Sequence, residues 1–160
     1  MYIQFQEYAA IYGPVDPTAF NRHEYEARRQ LDRLTTGIDG VKKLREYFPT
    51  DLDDAKAVKR CAAAVIHFLQ KTQEAEQTAS MGRGYVETEN GLQGKVITHV
   101  SSGNESISYS ATAQKTAYDT AAADPAEKNR LITNTIRDYL SGVSDANGVN
   151  LLYMGRYPGR

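Results

Sequence analysis

The chain has a single cysteine, Cys61, no tryptophan and almost no net charge, since 19 Lys and Arg face 20 Asp and Glu. One cysteine excludes an internal disulfide framework and a structural zinc site built on paired cysteines. A net charge of −1 argues against the strongly basic type of nucleic-acid-binding protein. The longest apolar run, residues 61–66, is far shorter than the ~20 residues that span a bilayer.

What is present is typical of an ordinary folded protein. The chain of 160 residues is 41% apolar, which suits one domain and is too apolar for a chain disordered throughout. A domain of this size buries about 68–70% of the surface of its unfolded chain. The first residues show no signal-peptide pattern and neither end carries a lipidation motif, so we expect a soluble intracellular protein without membrane contact.

The first half of the sequence predicts amphipathic helices. Asp16 and Pro17 have the N-cap and first-position chemistry of a helix start, and the helical pattern continues to a glycine cap at Gly37. A shorter helical piece follows. Its predicted buried row is Ile38, Val41, Leu44 and Phe48.

A long central helix is predicted next, with Thr50 as its cap and Asp53 as the third-position partner. The broad apolar band from Cys61 to Leu69 indicates a helix that is covered on more than one side. Its polar end lies near residues 77–80. The acidic residues at 51–54 offset the helix dipole, an interpretation that we favour roughly nine to one over a metal site.

Residues 81–114 are rich in Gly, Ser, Thr and Asn and differ from the helices around them. Two stretches, 95–100 and 105–110, have strand patterns, and residues 101–104 between them suit a turn. A β-hairpin is therefore predicted. A segment of this length within a small domain is typical of function or of disorder.

The last predicted helix has the strongest start signal, Asp124 and Pro125 followed by Glu127, and ends at Gly142. A polar linker, 144–148, leads to an apolar tail. The predicted fold class is therefore mainly α: a small bundle of three to four helices, a long loop or β-hairpin and an extended C-terminal tail. As one domain, 1–160, it has a helical core at 1–80 and 115–142, the loop at 81–114 and the tail at 149–160.

No catalytic, cofactor or metal motif is recognisable. The three histidines lack ligand spacing, and no zinc-protease, nucleophile-elbow or phosphate-loop sequence occurs. Lys42, Lys43 and Arg45 form one of the densest basic groups, which we interpret as a solvated helix face because acidic residues lie beside it. We therefore expect no enzyme, no cofactor and no metal.

Two segments do not fit a simple helical bundle: the apolar tail, and a strand whose edge has no evident cover. Either both fold back on the helices of their own chain, or they contact other subunits. The second alternative gives a set of candidate contact residues. They are Ile107, Tyr109, Leu151, Leu152, Tyr153, Met154 and Tyr157.

Short motifs follow one another along nearly the whole chain. They are Tyr2-Ile3 ahead of Glu7-Tyr8, Phe20 with Tyr25 and Ala27, Leu31-Asp32 with Leu34-Thr35, residues 57–61 at the head of the central helix, Ser106-Ile107-Ser108-Tyr109, Tyr139-Leu140, and Leu151-Leu152-Tyr153-Met154-Gly155. In order and spacing they resemble the small head–tail connector, or adaptor, proteins of long-tailed bacteriophages. Family members commonly have Arg where this chain has Met154.

The resemblance implies a non-enzymatic virion protein with a helical core. Such proteins form a ring with copies of themselves, typically a dodecamer, beneath the portal protein once DNA is packaged. The ring extends the DNA channel, which DNA passes without sequence-specific binding, and docks the next neck or tail protein. Residues 81–114 would project from the core and 149–160 would contact neighbours or the portal. The protein would be assembled in the host cytoplasm and lie at the head–tail interface of the virion.

A second hypothesis belongs to another class: a small helical phage-encoded regulatory or DNA-associated protein. It predicts salt-sensitive binding to duplex DNA. The connector hypothesis predicts association with a portal protein instead.

Overall fold

The computed structural model describes the backbone of residues 1–80, 85–88, 91–94, 96–101, 106–110 and 116–159, and the side chains of 1–78 and 116–159. Over these ranges the chain is mainly helical, as the sequence predicts. Its helices are α1 (Phe5–Tyr12), α2 (Pro17–Thr35), α3 (Lys43–Glu46), α4 (Leu52–Ser80), α5 (Ala117–Ala123) and α6 (Pro125–Leu140). Its strands are β1 (Tyr85–Thr88), β2 (Gly91–Gly94), β3 (Val96–Ser101) and β4 (Ser106–Ser110).

The chain divides into two compact units, residues 1–70 with 126–160, and residues 71–125. The second unit contains two antiparallel strand pairs, β1 with β2 and β3 with β4. In the latter, Val100 lies opposite Ile107 and Ile97 opposite Tyr109. The central helix ends at Ser80, which confirms its predicted end near residues 77–80. Of the turn predicted at 101–104, Ser101 is the last residue of β3 and the other three positions lie outside the described residues. The single domain stays a prediction.

The hydrophobic core of the first unit is built around α4. Most of the apolar band predicted from Cys61 to Leu69 is buried, with Ala62, Val65 and Ile66 among its buried side chains, which confirms that prediction. Cys61 is fully buried in the same helix, and burial raises the pKa of its thiol to about 12. The cluster is completed by residues of α1, α2, α6 and the chain ends. Its largest fully buried members include Ile3, Tyr8, Phe20, Leu31, Ile132, Ile136, Leu140 and Leu151.

The helices α2 and α4 each begin at a side chain that caps the helix. The Asp16 carboxylate accepts the Ala19 N–H at 2.8 Å, and Pro17 occupies the first position, so the predicted start of α2 is confirmed. At α4 the predicted cap, Thr50, is wrong. Asp51 is the cap, because its Oδ1 accepts the N–H groups of Asp53 at 2.9 Å and Asp54 at 3.1 Å.

The segment after α2 differs from its prediction. Gly37 does not cap the helix; the chain leaves α2 through Thr36 in an extended conformation and turns back, with Thr36 bridging Lys42. Ile38 lies in this loop and is 78% exposed, so its predicted burial is wrong. Val41 and Leu44 from the same predicted row are buried.

Among the helices that the structure describes, none combines the length and the apolar character that a membrane span requires.

Candidate contact surface at the C-terminal tail

The polar linker after α6 folds as a tight turn organised by Asp145. Its Oδ1 accepts the N–H groups of Asn147 and Val149, each at 2.9 Å, and its own N–H donates to the Val149 carbonyl at 2.8 Å. Gly148 completes the turn with a φ of 75°, in the left-handed region that favours glycine. The Ser144 N–H donates to Asp54 of α4 at 3.0 Å. The turn is therefore fixed on the central helix.

Tyr157 fastens the far end of the tail to this turn. Its hydroxyl donates to Asp145 Oδ2 at 2.7 Å and accepts from Asn147 Nδ2 at 2.9 Å, while its N–H donates to Asp39 at 2.6 Å. The ring stacks on Tyr47, with centroids 4.8 Å apart. Burial, followed by the hydrogen bond to Asp145, raises the pKa of Tyr157. The far end of the tail therefore contacts the polar linker that precedes it.

A buried cation holds the middle of the tail. Lys43 is 1% exposed, and its Nζ donates to the Tyr153 carbonyl and lies 5.9 Å from the centroid of the Tyr153 ring. Burial lowers the pKa of Lys43, and the carboxylates of Asp145 and Asp39 oppose this shift. The sequence-based interpretation of Lys43 as part of a solvated face is therefore wrong. Its position at the start of α3 aims its ammonium group at the tail backbone.

Backbone contacts place the tail directly against the loop after α2. The Ile38 N–H donates to the Met154 carbonyl at 3.1 Å. At Gly37 a Cβ would lie 2.8 Å from the Gly155 carbonyl oxygen, so only glycine permits this approach without a shift. Further back, the Leu151 N–H donates to the Val143 carbonyl at 2.9 Å. The backbone of the tail is thus held at several points along its length.

The structure separates the predicted contact residues into distinct groups. Leu151 is fully buried in the core and Tyr157 is 6% exposed, so both are covered by their own chain. Leu152 is partly buried against the core. Tyr153 and Met154 are 46% and 55% exposed. Ile107 and Tyr109 belong to β4, and their side chains lie outside the described residues.

Ile38, which the sequence predicts to be buried, completes this surface. The exposed side chains of Ile38, Tyr153 and Met154 occur where the loop and the tail are hydrogen-bonded, and we call these three residues the tail patch. Charges of both signs lie near these residues along the chain, since the exposed Asp39 follows Ile38 and the exposed Arg156 lies two positions after Met154. The Asp145 turn was recognisable from its Asp-Ala-Asn-Gly sequence. The position of Ile38 depends on a contact between distant parts of the chain, which no local pattern reveals.

The tail patch is suited to binding by shape and apolar contact. Its backbone is fixed by hydrogen bonds, and its three side chains are exposed apolar groups. In the part of the chain that the structure describes, no three His, Cys, Asp or Glu side chains are grouped to hold a metal ion.

Comparisons with protein-family models, with curated proteins and with solved structures found no match to this chain.

Proposed function

We propose that this chain is a head–tail connector protein of a long-tailed bacteriophage. In this role it is a non-enzymatic virion subunit that forms a ring beneath the portal, extends the DNA channel and docks the next neck or tail protein. The order of sequence motifs is the starting point of the proposal. A mainly helical fold is compatible with it.

The observation that carries the proposal is the tail patch. Apolar side chains on a loose tail are common on protein surfaces and need no explanation. Here the backbone under Tyr153 and Met154 is fixed by the buried Lys43 and by the hydrogen bond from Ile38. Fixing a backbone has an entropic cost of about 1–2 kcal/mol per residue. A pre-ordered apolar surface favours binding because that cost is met before the partner arrives.

Because Leu151 and Tyr157 are buried within their own chain, deletion of the tail is not a clean test of the proposal. Deleting residues 149–160 would remove Leu151 from the core and Tyr157 from Asp145, so a truncated protein would fail for structural reasons. Substitutions that touch only exposed side chains avoid this problem. Ile38→Ser with Met154→Ser alters the tail patch, and Ile11→Ser, at an apolar side chain that is 51% exposed on α1, is the matched control.

The experiment is native mass spectrometry of the chain mixed with the portal protein of the same phage. We expect a complex with a fixed number of chains per portal ring. The double variant should bind about tenfold or more weakly, whereas the Ile11 variant should bind as the unaltered protein does. Absence of a complex with the unaltered chain would contradict the proposal. Salt-sensitive retention of duplex DNA in a filter-binding titration would favour the regulatory hypothesis instead.

A further inference from the structure

A row of tyrosine and arginine side chains lies along the exposed side of α2. Tyr25, Arg29 and Arg33 are spaced four residues apart, so they form one ridge of the helix, ~12 Å long from the rise of an α-helix. All three residues are exposed, Tyr25 at 56%. Arg28 lies beside them, with its guanidinium 5.5 Å from the centroid of the Tyr25 ring. We call these four residues the arginine ridge.

The guanidinium groups of the arginine ridge are available to a partner. Arg28 and Arg33 form no ion pair with the side chains that the structure describes. Arg29 pairs with Glu26 at 3.3 Å, but both side chains are exposed, at 63% and 38%. Exposed pairs of this kind contribute little to stability, so Arg29 can exchange this carboxylate for another.

The other acidic residues of α2 do not neutralise the ridge. Glu24 is buried, at 5% exposure. Asp32 accepts the hydroxyl of Tyr2 and pairs with Arg45 of α3 at 2.9 Å, so its charge is already compensated by that arginine. The exposed side of α2 therefore keeps an excess of positive charge.

The residue types of the ridge are those of an interface between proteins. All four Lys or Arg positions of α2 are arginine. Arginine and tyrosine are enriched in protein interfaces and at their energetic centres, whereas lysine is depleted. A guanidinium can bind both oxygens of one carboxylate, whereas the ammonium group of lysine acts as a point charge. The ridge is thus suited to carboxylates on another protein.

We propose that the arginine ridge binds an acidic helix of another protein. Helices pack by inserting rows of side chains at four-residue spacing into the grooves of a second helix, and the ridge is such a row. Carboxylates placed four residues apart on the partner repeat every ~6 Å, as Arg29 and Arg33 do. Tyr25 would add apolar contact beside the charges. The inference goes beyond the proposed function and does not depend on it, since the ridge shares no residue with the tail patch.

The distribution of charge favours a protein partner over nucleic acid. Phosphates continue along a nucleic acid beyond the ends of the ridge and would meet the acidic residues of a chain whose net charge is −1. An acidic helix can confine its carboxylates to the length of the ridge. Glu26, beside Arg29, would repel a phosphate backbone but could pair with a basic residue of a protein partner.

The test uses the full-length chain, isotope-labelled for NMR, and two helix-forming peptides of identical composition. The first peptide carries glutamates at every fourth position along one face, and the second distributes them around the helix. We expect the first to bind saturably and to shift the Nε–H signals of Arg28, Arg29 and Arg33, and the second to bind several-fold more weakly. No saturable binding of the first peptide, or equal binding of the two, would overturn the proposal.

Two double variants separate the ridge from overall charge. Arg29→Ala with Arg33→Ala should weaken binding of the first peptide about tenfold or more. Lys56→Ala with Arg60→Ala removes the same charge from exposed positions of α4 and should weaken binding about twofold or less. Equal losses would show that net charge alone attracts the peptide. Tighter binding of a duplex oligonucleotide at the ridge would show that phosphates are its ligand, and either result would overturn the proposal.

Discussion

The N-terminal segment, residues 1–12, and the described part of the C-terminal tail, residues 149–159, both pack on the core of the first unit, but by different means. The N-terminal segment is held mainly by apolar burial: Ile3 and Tyr8 are 1% and 0% exposed. The tail has one such anchor, Leu151, and otherwise depends on the buried polar groups of Lys43, Asp145 and Tyr157. Apolar burial stabilises without direction, whereas hydrogen bonds fix the position of a backbone.

The tail is the candidate contact surface because hydrogen bonds fix its backbone while Tyr153 and Met154 stay exposed. A binding surface must hold its side chains in place without burying them. Directional bonds from Lys43 and Ile38 reach the carbonyls of Tyr153 and Met154 and leave their side chains outside. Each of the following predictions tests one part of this contrast, beginning with the largest expected effect.

Leu151→Ala should lower the free energy of unfolding by about 2–5 kcal/mol, because it removes a fully buried side chain and leaves a cavity. Met154→Ala, three residues away and 55% exposed, should change it by about 0.5 kcal/mol or less. Urea unfolding of the two variants measures both. Equal losses would show that Met154 is part of the core and would remove it from the tail patch.

Gly37→Ala should lower the free energy of unfolding by about 1–3 kcal/mol, because the new methyl group would press on the backbone carbonyl of Gly155. Gly13→Ala is the control. Gly13 has a φ of 87° and open space around it, so alanine there would strain the backbone without pressing on another group. If Gly37→Ala unfolds in urea as the unaltered chain does, the loop and the tail separate easily and the tail patch is not pre-ordered.

A matched pair of tyrosines compares the two chain ends directly. Tyr157→Phe leaves Asp145 Oδ2 without its hydroxyl donor in a buried site, which should cost about 1–3 kcal/mol. Tyr2→Phe removes a hydroxyl from Asp32, but Arg45 still pairs with that carboxylate at 2.9 Å, so the loss should be smaller. Chemical denaturation at neutral pH ranks the two. The reverse order would mean that polar contacts matter more at the N-terminal end.

Tyr2 and Tyr157 should also affect how the free energy of unfolding depends on pH above 10. Burial, followed by the contact with Asp32, raises the pKa of Tyr2 above its ordinary 10.0, and burial also raises that of Tyr157. The unfolded chain then loses these protons first, so stability is retained below pH 10 and falls as the pH rises further. Each intact tyrosine adds up to about 1.4 kcal/mol per pH unit to that slope. The Phe variants should unfold in urea with a shallower pH dependence.

Helical structure was predictable where local chemistry determines it. Asp16 with Pro17, and the apolar row of α4, carry their own signals within one or two turns. The cap of α4 was misplaced by one residue because Thr50 and Asp51 both have capping side chains. Only geometry decides which carboxylate or hydroxyl reaches the free N–H groups of Asp53 and Asp54.

The candidate site was predictable only in part, since it is made by contacts between distant residues. Leu151, Tyr153, Met154 and Tyr157 were all predicted as candidate contact residues. Their local sequence does not distinguish Tyr153 and Met154, which are exposed, from Leu151 and Tyr157, which are buried. Lys43 lies 110 positions from the carbonyl that it binds. A lysine beside other charged residues ordinarily lies in solvent. Lys43 is buried because its ammonium group donates to a carbonyl and is stabilised electrostatically by the carboxylates of Asp39 and Asp145.

The smallest expected effect belongs to the charge pair that fastens α1. Glu7 accepts from Lys59 at 2.6 Å and from the Gln4 N–H at 2.9 Å, and these contacts, the Gln4 bond first, lower its pKa below the ordinary 4.5. Glu7→Gln keeps an acceptor for the Gln4 N–H and removes only the charge, so at neutral pH it should cost up to about 1 kcal/mol, with both side chains partly exposed. A carboxylate with a lowered pKa stabilises above its ordinary pKa and stops doing so as the pH falls through the lowered value. The difference in unfolding free energy between the variant and the unaltered chain should therefore vanish in acid. A difference that persists there would show that the loss does not come from the charge of Glu7, and the ion pair with Lys59 would then play no part in holding the N-terminal segment.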